Sequence, residues 1–433
     1  MGTLTENLVF ARGAKPLIKA IKKYAKPFET VADLEPLIAA IGDAKIVLLG
    51  ESSHGTSEFY TLRAELSKRL IKEKGFSFIA VEGDWPSCQS INRYIKEFNQ
   101  SPHDVKEVLE DFNRWPTWMW ANQEIIGLID WLKEYNQHNT RAQKVGFYGL
   151  DVYSLWESMD EIIRYLEKTN SPSLKEAKKA FSCFEPFNRN HESYAVSAGY
   201  LSKDCTKDAL DLLASIRKNK WKFDDDQESS LNMEVNAIVT ANAEEYYRTM
   251  VNSDSKSWNV RDQHMVEALN SVRRFYGDDA KVIIWEHNTH VGDARATDMK
   301  DEGMVNVGQL VREKNGAENV FIVGFGTYSG TVIASTEWGV DFQIMKVPPA
   351  QFGSWESLMH KTGAVNKYLL FTDQNRHEFT TTIGHRAIGV VYRPEYEHFG
   401  NYVPSSMGHR YDGFIFFDQT NALHPLVLEN ILV

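Results

Sequence analysis

Ile46-Val47-Leu48-Leu49-Gly50-Glu51-Ser52-Ser53-His54-Gly55 opens as four apolar residues in a row and breaks, at a glycine, into ionisable side chains. A continuous apolar run without polar alternation is what a strand covered on both faces looks like. The pattern recurs along the chain. Phe78-Ile79-Ala80-Val81 ends in Glu82-Gly83-Asp84, and Val145-Gly146-Phe147-Tyr148 ends in Gly149-Leu150-Asp151. Val282-Ile283-Ile284-Trp285 ends in Glu286-His287, and Val320-Phe321-Ile322-Val323 ends in Gly324. Helical patterns separate these runs, which implies βαβ crossovers and a mostly parallel sheet. Ile388 to Tyr392 and Phe414 to Phe417 are expected to extend the same sheet. The predicted fold is α/β: a mostly parallel central sheet flanked by helices, with an inserted all-helical subdomain.

The insertion is read between Ser154 and about Tyr276, where no run has strand character. Leu155, Met159, Ile162, Ile163 and Leu166 fall at helical spacing until Asn170 and Pro172 stop them, and Met265, Leu269 and Val272 form a second stripe. The chain thus divides into an α/β core of residues 1–153 and 277–433 and a helical insertion of residues 154–276. With 433 residues, 42% of them hydrophobic, it can bury a large core.

Acidic side chains outnumber basic ones by 59 to 48, a formal charge of −11. That argues against a nucleic-acid backbone or an anionic membrane surface as the main partner. Met1 to Thr30 has no apolar signal core and no bilayer-spanning stretch, so a cytoplasmic location is expected. The three cysteines, Cys88, Cys183 and Cys205, make an odd count without a close pair, which suggests a reducing compartment rather than a disulfide framework. Oligomeric state is not legible.

In open parallel sheets, ligands bind at the carboxyl ends of the strands. Three strand ends deliver ionisable groups there: Glu51 and His54, then Glu82 and Asp84, then His287 and His290. Histidine exchanges a proton near neutral pH and is the natural general base for activating water, and a carboxylate beside it can orient the ring. Glu51 and His54 are three apart, as are His287 and His290, so each pair shares a face if its turn is helical. A lone glutamate or histidine at a strand end is more often a cap or a structural group. The case rests on several strand ends carrying such groups at once.

Other readings stay open beside this one. Gly50-x-Ser52-x-x-Gly55 misses the nucleophile-elbow spacing by one residue, so a serine nucleophile has little support. Cys88 follows an acidic stretch, where a reactive thiolate is disfavoured, and reads as buried filler. Arg63 follows His54 on a helical pattern and is expected to serve the site. Arg261 lies on the Met265 stripe and is either a site residue or a surface charge whose stem packs down. Trp115, Trp118 and Trp120 are core residues or the wall of an apolar substrate pocket. The histidines and glutamates could also hold one divalent metal, zinc or manganese, as hydrolase ligands.

Gly50-Glu51-Ser52-Ser53-His54-Gly55, Val81-Glu82-Gly83-Asp84-Trp85-Pro86 and His287-Asn288-Thr289-His290 together resemble the erythromycin esterase family, which includes succinoglycan-biosynthesis-like homologues. Arg261-Asp262-x-x-Met265 and Arg386-Ala387-Ile388-Gly389-Val390-Val391-Tyr392 look like its later motifs, so the resemblance spans residues 40 to 420. It implies hydrolysis of an ester or lactone by activated water, without a metal cofactor. His54 matches the general base. Glu51, Arg63, Glu82, His287 and His290 match residues that orient base, water and substrate, with a histidine of the 287/290 pair or Arg63 stabilising the oxyanion. The resemblance does not fix a macrolide as the substrate. A non-catalytic binding or biosynthetic accessory protein remains the alternative from another class.

Overall fold

The computed structural model describes residues 4–98, 104–140, 143–201, 203–219 and 228–426, so the first three residues of the N-terminal stretch read above lie outside it. Its strands are β1 (Lys26–Pro27), β2 (Ile46–Leu49), β3 (Phe78–Asp84), β4 (Gly146–Asp151), β5 (Val282–Trp285), β6 (Val320–Ser335), β7 (Phe342–Val347), β8 (Lys367–Leu370), β9 (Thr382–Arg386), β10 (Tyr402–Ser406) and β11 (Gly413–Thr420). The main sheet runs β1-β8-β11-β6-β2-β5-β3-β4, with β7 attached to β6. From β11 to β4 every neighbouring pair is parallel, and the antiparallel pairs involve β1, β7 and β8. β9 and β10 form a separate antiparallel pair.

The apolar runs are continuous because both faces of the sheet are covered. Val47, Leu49, Ile79, Val81, Ile283 and Trp285 enter one core, against the helices Ser57–Lys74, Trp85–Lys96 and Gln123–His138. Their strand neighbours Ile46, Leu48, Phe78, Ala80, Val282 and Ile284 enter the opposite core, against Ser229–Met250 and Asp254–Tyr276. Pro86 opens the helix after β3, and Gly75, left-handed at φ 73°, ends the helix after β2.

Between β4 and β5 the described chain is helical, from Leu155 to Tyr276. Leu155, Ile162, Phe181, Tyr194, Leu212 and Ile238 form a core of their own. The helix Ser229–Met250 serves both cores, with Ile238 and Tyr247 in this one and Val235 and Val239 on the sheet, where Met265 and Leu269 of the last helix also pack. Among the described residues no helix is long and apolar enough to cross a membrane.

Three expectations need correction. β6 does not stop at Gly324 but continues to Ser335. Gly324 and Gly326 are there for close approach: a Cβ would lie 2.6 Å from the Tyr411 ring at one and 2.7 Å from the Phe414 ring at the other. Ile388 to Tyr392 adds no strand to the main sheet. It crosses the strand ends, donating from Ile388 N to Ser52 O at 2.8 Å and bridging Ser335, while Ile388 and Tyr392 fill a small core with Val332 and Met345. The cysteines differ too. Cys183 and Cys205 form a disulfide, because the segment between them, a short turn and the helix His191–Leu201, brings their Cα atoms to 5.9 Å, and Cys88 stays free and buried. The cysteine count therefore lends no support to the expected compartment.

Candidate active site

The loop after β2 places Glu51 and His54 above the sheet, with Gly50 and Gly55 squeezed against other segments. A Cβ on Gly50 would stand 2.2 Å from the Asn288 amide oxygen, and one on Gly55 would stand 1.9 Å from Ile333 O. Only glycine lets this loop approach its neighbours so closely. His54 Nδ1 meets Glu51 Oε1 at 2.9 Å, and Glu51 Oε2 accepts from Arg63 Nη2 at 2.6 Å. The Arg63 guanidinium lies over the rings of Tyr60 (4.6 Å) and Trp285 (4.7 Å), wholly out of solvent. A carboxylate fixed from behind by a stacked guanidinium makes the Nδ1–H tautomer of His54 the favoured one and leaves Nε2 free.

That nitrogen stands 4.0 Å from Glu82 Oε1, which belongs to β3. Glu82 is the hub of the site. Its Oε1 accepts from Arg261 Nη2 at 2.7 Å and its Oε2 from the backbone N–H of His287 at 2.8 Å. Arg261 also grips Asp151, at the end of β4, through Nε (2.9 Å) and Nη2 (2.7 Å), and donates from Nη1 to His290 Nε2 at 3.1 Å. His290 in turn donates from Nδ1 to Asp262 at 3.0 Å and stacks on Trp258 at 4.5 Å. His287 caps the short helix Asn288–Val291 by accepting Thr289 N–H on Nδ1, and its ring lies 5.0 Å from that of His54.

The electrostatics follow from this wiring. Burial alone would lower the His54 pKa, but the Glu82 and Glu51 carboxylates outweigh it and hold it above its ordinary value. Burial pushes Glu82 up, yet His290, His54, Arg261 and the His287 amide overcome that and keep its carboxyl far below the usual range. Burial, with His54 alongside, drives the His287 pKa well below the ordinary imidazole value. Four strand ends, of β2, β3, β4 and β5, therefore meet in one charge network.

The network opens into a cleft. Polar groups, His54, Glu82, Asp84, Asp151, Arg114 and Arg261, and apolar or aromatic ones, Phe112, Pro116, Met119, Trp120, Tyr153, Trp338 and Val390, line it together. The erythromycin esterase family profile matches residues 71–420, more than three quarters of the sequence. The chain belongs to the erythromycin esterase family. It is 22% identical over 423 residues to YbfO of Bacillus subtilis (strain 168), which carries a hydrolase name, covering 92% of this chain and 90% of that protein. It is 22% identical over 374 residues to erythromycin esterase type II of Escherichia coli, covering 81% and 86% respectively. The crystal structure of a succinoglycan biosynthesis protein shares the fold at a TM-score of 0.76 and 22% identity, covering 95% of this chain and 98% of that one. Membership in the erythromycin esterase family supports a hydrolase of the esterase kind.

Within this family fold, the residues singled out in the sequence fall at different depths. His54, Glu82, Asp84, Arg261 and Trp120 line the cleft, whereas Glu51, Arg63, His287 and His290 stand behind it. Trp120 donates to Glu82 O at 3.1 Å, and Asp84 is held bidentately by Arg114 at 2.7 Å. Trp115 touches Trp338 at the rim, while Trp118 is buried in the core and does not reach the cleft. Ser52 Oγ is buried and bonds to nothing in the protein, so no histidine activates it. Among the described residues, no three histidine, cysteine, aspartate or glutamate side chains are placed to hold a metal ion together. Sequence reasoning passed over Asp151 and Asp262, although Asp151 ends a strand and obeys the same rule as Glu82. Arg114, inside the tryptophan tract, was hidden by its neighbours.

Glu286 was quoted at its strand end but given no role. It is fully buried and neither carboxyl oxygen has a partner. Burial, reinforced by the Glu82 and Asp262 carboxylates, raises its pKa well above the ordinary range. In the unfolded chain the same group ionises near ~4.3. Between those values the folded protein keeps a proton that the unfolded chain has lost, so stability falls as pH rises, by up to ~1.4 kcal/mol per pH unit. Glu286→Gln should flatten that slope in urea unfolding from about pH 5 to about pH 8. An unchanged slope would mean that Glu286 is ionised in the native state.

Proposed function

We propose that this protein hydrolyses a carboxylic ester or lactone with water activated by His54, without a metal and without a covalent intermediate. One observation carries the reading: a buried Glu51–His54 pair turns its free Nε2 into the cleft, 4.0 Å from Glu82 Oε1. That gap is too wide for a hydrogen bond and suits two acceptors sharing one water, each taking one of its protons. The oxygen lone pairs of such a water are then free to face a carbonyl carbon.

In the reaction, His54 Nε2 takes a proton as the water oxygen bonds to the carbonyl carbon. The tetrahedral oxyanion collapses, the C–O bond to the alcohol breaks, and the imidazolium returns its proton to the leaving oxygen. The acid and alcohol carry between them the atoms of one water. Arg261 is the donor best placed for the oxyanion. It lines the cleft, and its four hydrogen bonds engage one fewer than its five N–H groups. Arg63 and the two histidines, the other candidates, stand behind the cleft wall.

Turnover of a panel of esters, lactones and macrolides before and after chelation tests the reading. Hydrolysis should survive chelation, and quenched intact-mass spectra should show no acylated chain. Activity lost on chelation and restored by stoichiometric zinc or manganese would replace it with a metal-dependent hydrolase. Binding without product across the panel would make the chain an accessory protein.

A further inference from the structure

The polar part of the cleft lining carries three carboxylates, Glu82, Asp84 and Asp151, against two guanidiniums, Arg114 and Arg261, so it holds an excess of negative charge when His54 is neutral. Both oxygens of Asp84 are taken by Arg114, both oxygens of Asp151 by Arg261, and those of Glu82 by Arg261 and the His287 amide. An anionic substrate group would meet that excess and would have to displace a carboxylate from its guanidinium, so this lining disfavours an anionic ligand.

The rest of the lining is mostly apolar, and its most exposed member is unusual. Trp338 is 63% exposed although it lines the cleft. It sits in the turn between β6 and β7, and several contacts aim it there. Trp115 meets its ring at 4.5 Å and donates from Nε1 to Val340 O at 2.9 Å, and Ser335 Oγ donates to the same carbonyl at 2.9 Å. Trp115 is itself fastened at the cleft, because the preceding Arg114 is clamped on Asp84. A large ring left in water and held still from behind is a surface waiting for an apolar face to cover it.

We propose that Trp338 is the specificity-determining surface of the cleft, stacking on a bulky, uncharged, apolar part of the ester. The inference rests on the hydrolase reading above and gives it a substrate class: neutral esters or lactones with an extended apolar body, rather than small or anionic ones.

The test compares wild type, Trp338→Ala and Trp338→Phe on methyl acetate, methyl 2-naphthylacetate and the anionic monomethyl succinate, followed by pH-stat. Wild type should favour the naphthyl ester. Trp338→Ala should raise its KM about tenfold with kcat little changed, by loss of stacking and apolar burial. The loss should shrink with the size of the apolar group and be smallest for methyl acetate, and Trp338→Phe should recover most of it. Equal losses on all three esters, or none on the naphthyl ester, overturn the inference. Calorimetric binding of the naphthyl N-methyl amide separates the two claims. A tenfold weaker Kd in Trp338→Ala, with no ester hydrolysed by wild type, would keep the stacking surface and sink the hydrolase. Hydrolysis with unchanged Kd and KM would do the reverse.

Discussion

His54→Asn lowers kcat on any ester that the wild type hydrolyses by about 10²–10⁴-fold, with KM little altered. The size follows from what the substitution leaves intact. Asparagine can still donate to Glu51, so the Glu51–Arg63 pair, buried against Tyr60 and Trp285, keeps a partner in front of it. Glu82 remains held by Arg261 and the His287 amide, and Arg261 still faces the cleft. Proton acceptance by Nε2 is what disappears. Steady-state kinetics on a substrate found in the panel, with thermal unfolding as a control for folding, reads the result. Near wild-type turnover in a folded variant would end the general-base assignment.

The reason the cluster around this residue is legible in the sequence is mechanical. β2, β3 and β5 are buried on both faces, so their apolar runs stand out, and the first polar residue after each run must lie at the carboxyl edge of the sheet. That logic reaches Glu51, His54, Glu82, His287 and their neighbours. It also reaches Asp151 at the end of β4, but a single aspartate with no ionisable neighbour in sequence is a weak signal. Asp262 and Arg114 lie on a helix and in a loop, where strand-end logic says nothing. Trp338 is not legible because Gly324 reads as the end of β6, which hides the strand extension that leads to its turn. A glycine that makes room for the Tyr411 ring looks, in sequence, the same as one that ends a strand. The Ile388–Tyr392 run failed for a related reason: its apolar residues cover a small core beside the site, without ladder partners. Arg386, two residues before that run at the end of β9, spends its donors on Glu397 and the backbone of Thr327, Tyr328 and Pro348. It braces the segment that bonds to Ser52, two residues from His54.

Glu82→Gln should lower kcat by about 10²-fold or more and move the pH profile, and the two effects have separate causes. The carboxylate is one of two acceptors proposed to orient the water, and its charge stabilises the imidazolium that forms on His54; a neutral amide weakens both. The sign of the pH effect follows from His54. Its pKa is raised, and only the neutral ring accepts a proton, so wild-type kcat/KM should rise with pH through an apparent pKa above ~6.5. Glu82 is the foremost cause holding that pKa up against burial, so removing its charge should shift the rising limb toward lower pH. Folding should survive, because Arg261 keeps its bidentate bond to Asp151 and no buried charge is left alone. A limb that stays where it is, or moves to higher pH, would mean that Glu82 does not act on His54 across the 4.0 Å gap. A variant that keeps its rate while the limb moves would confine Glu82 to electrostatics and leave the water oriented by His54 alone.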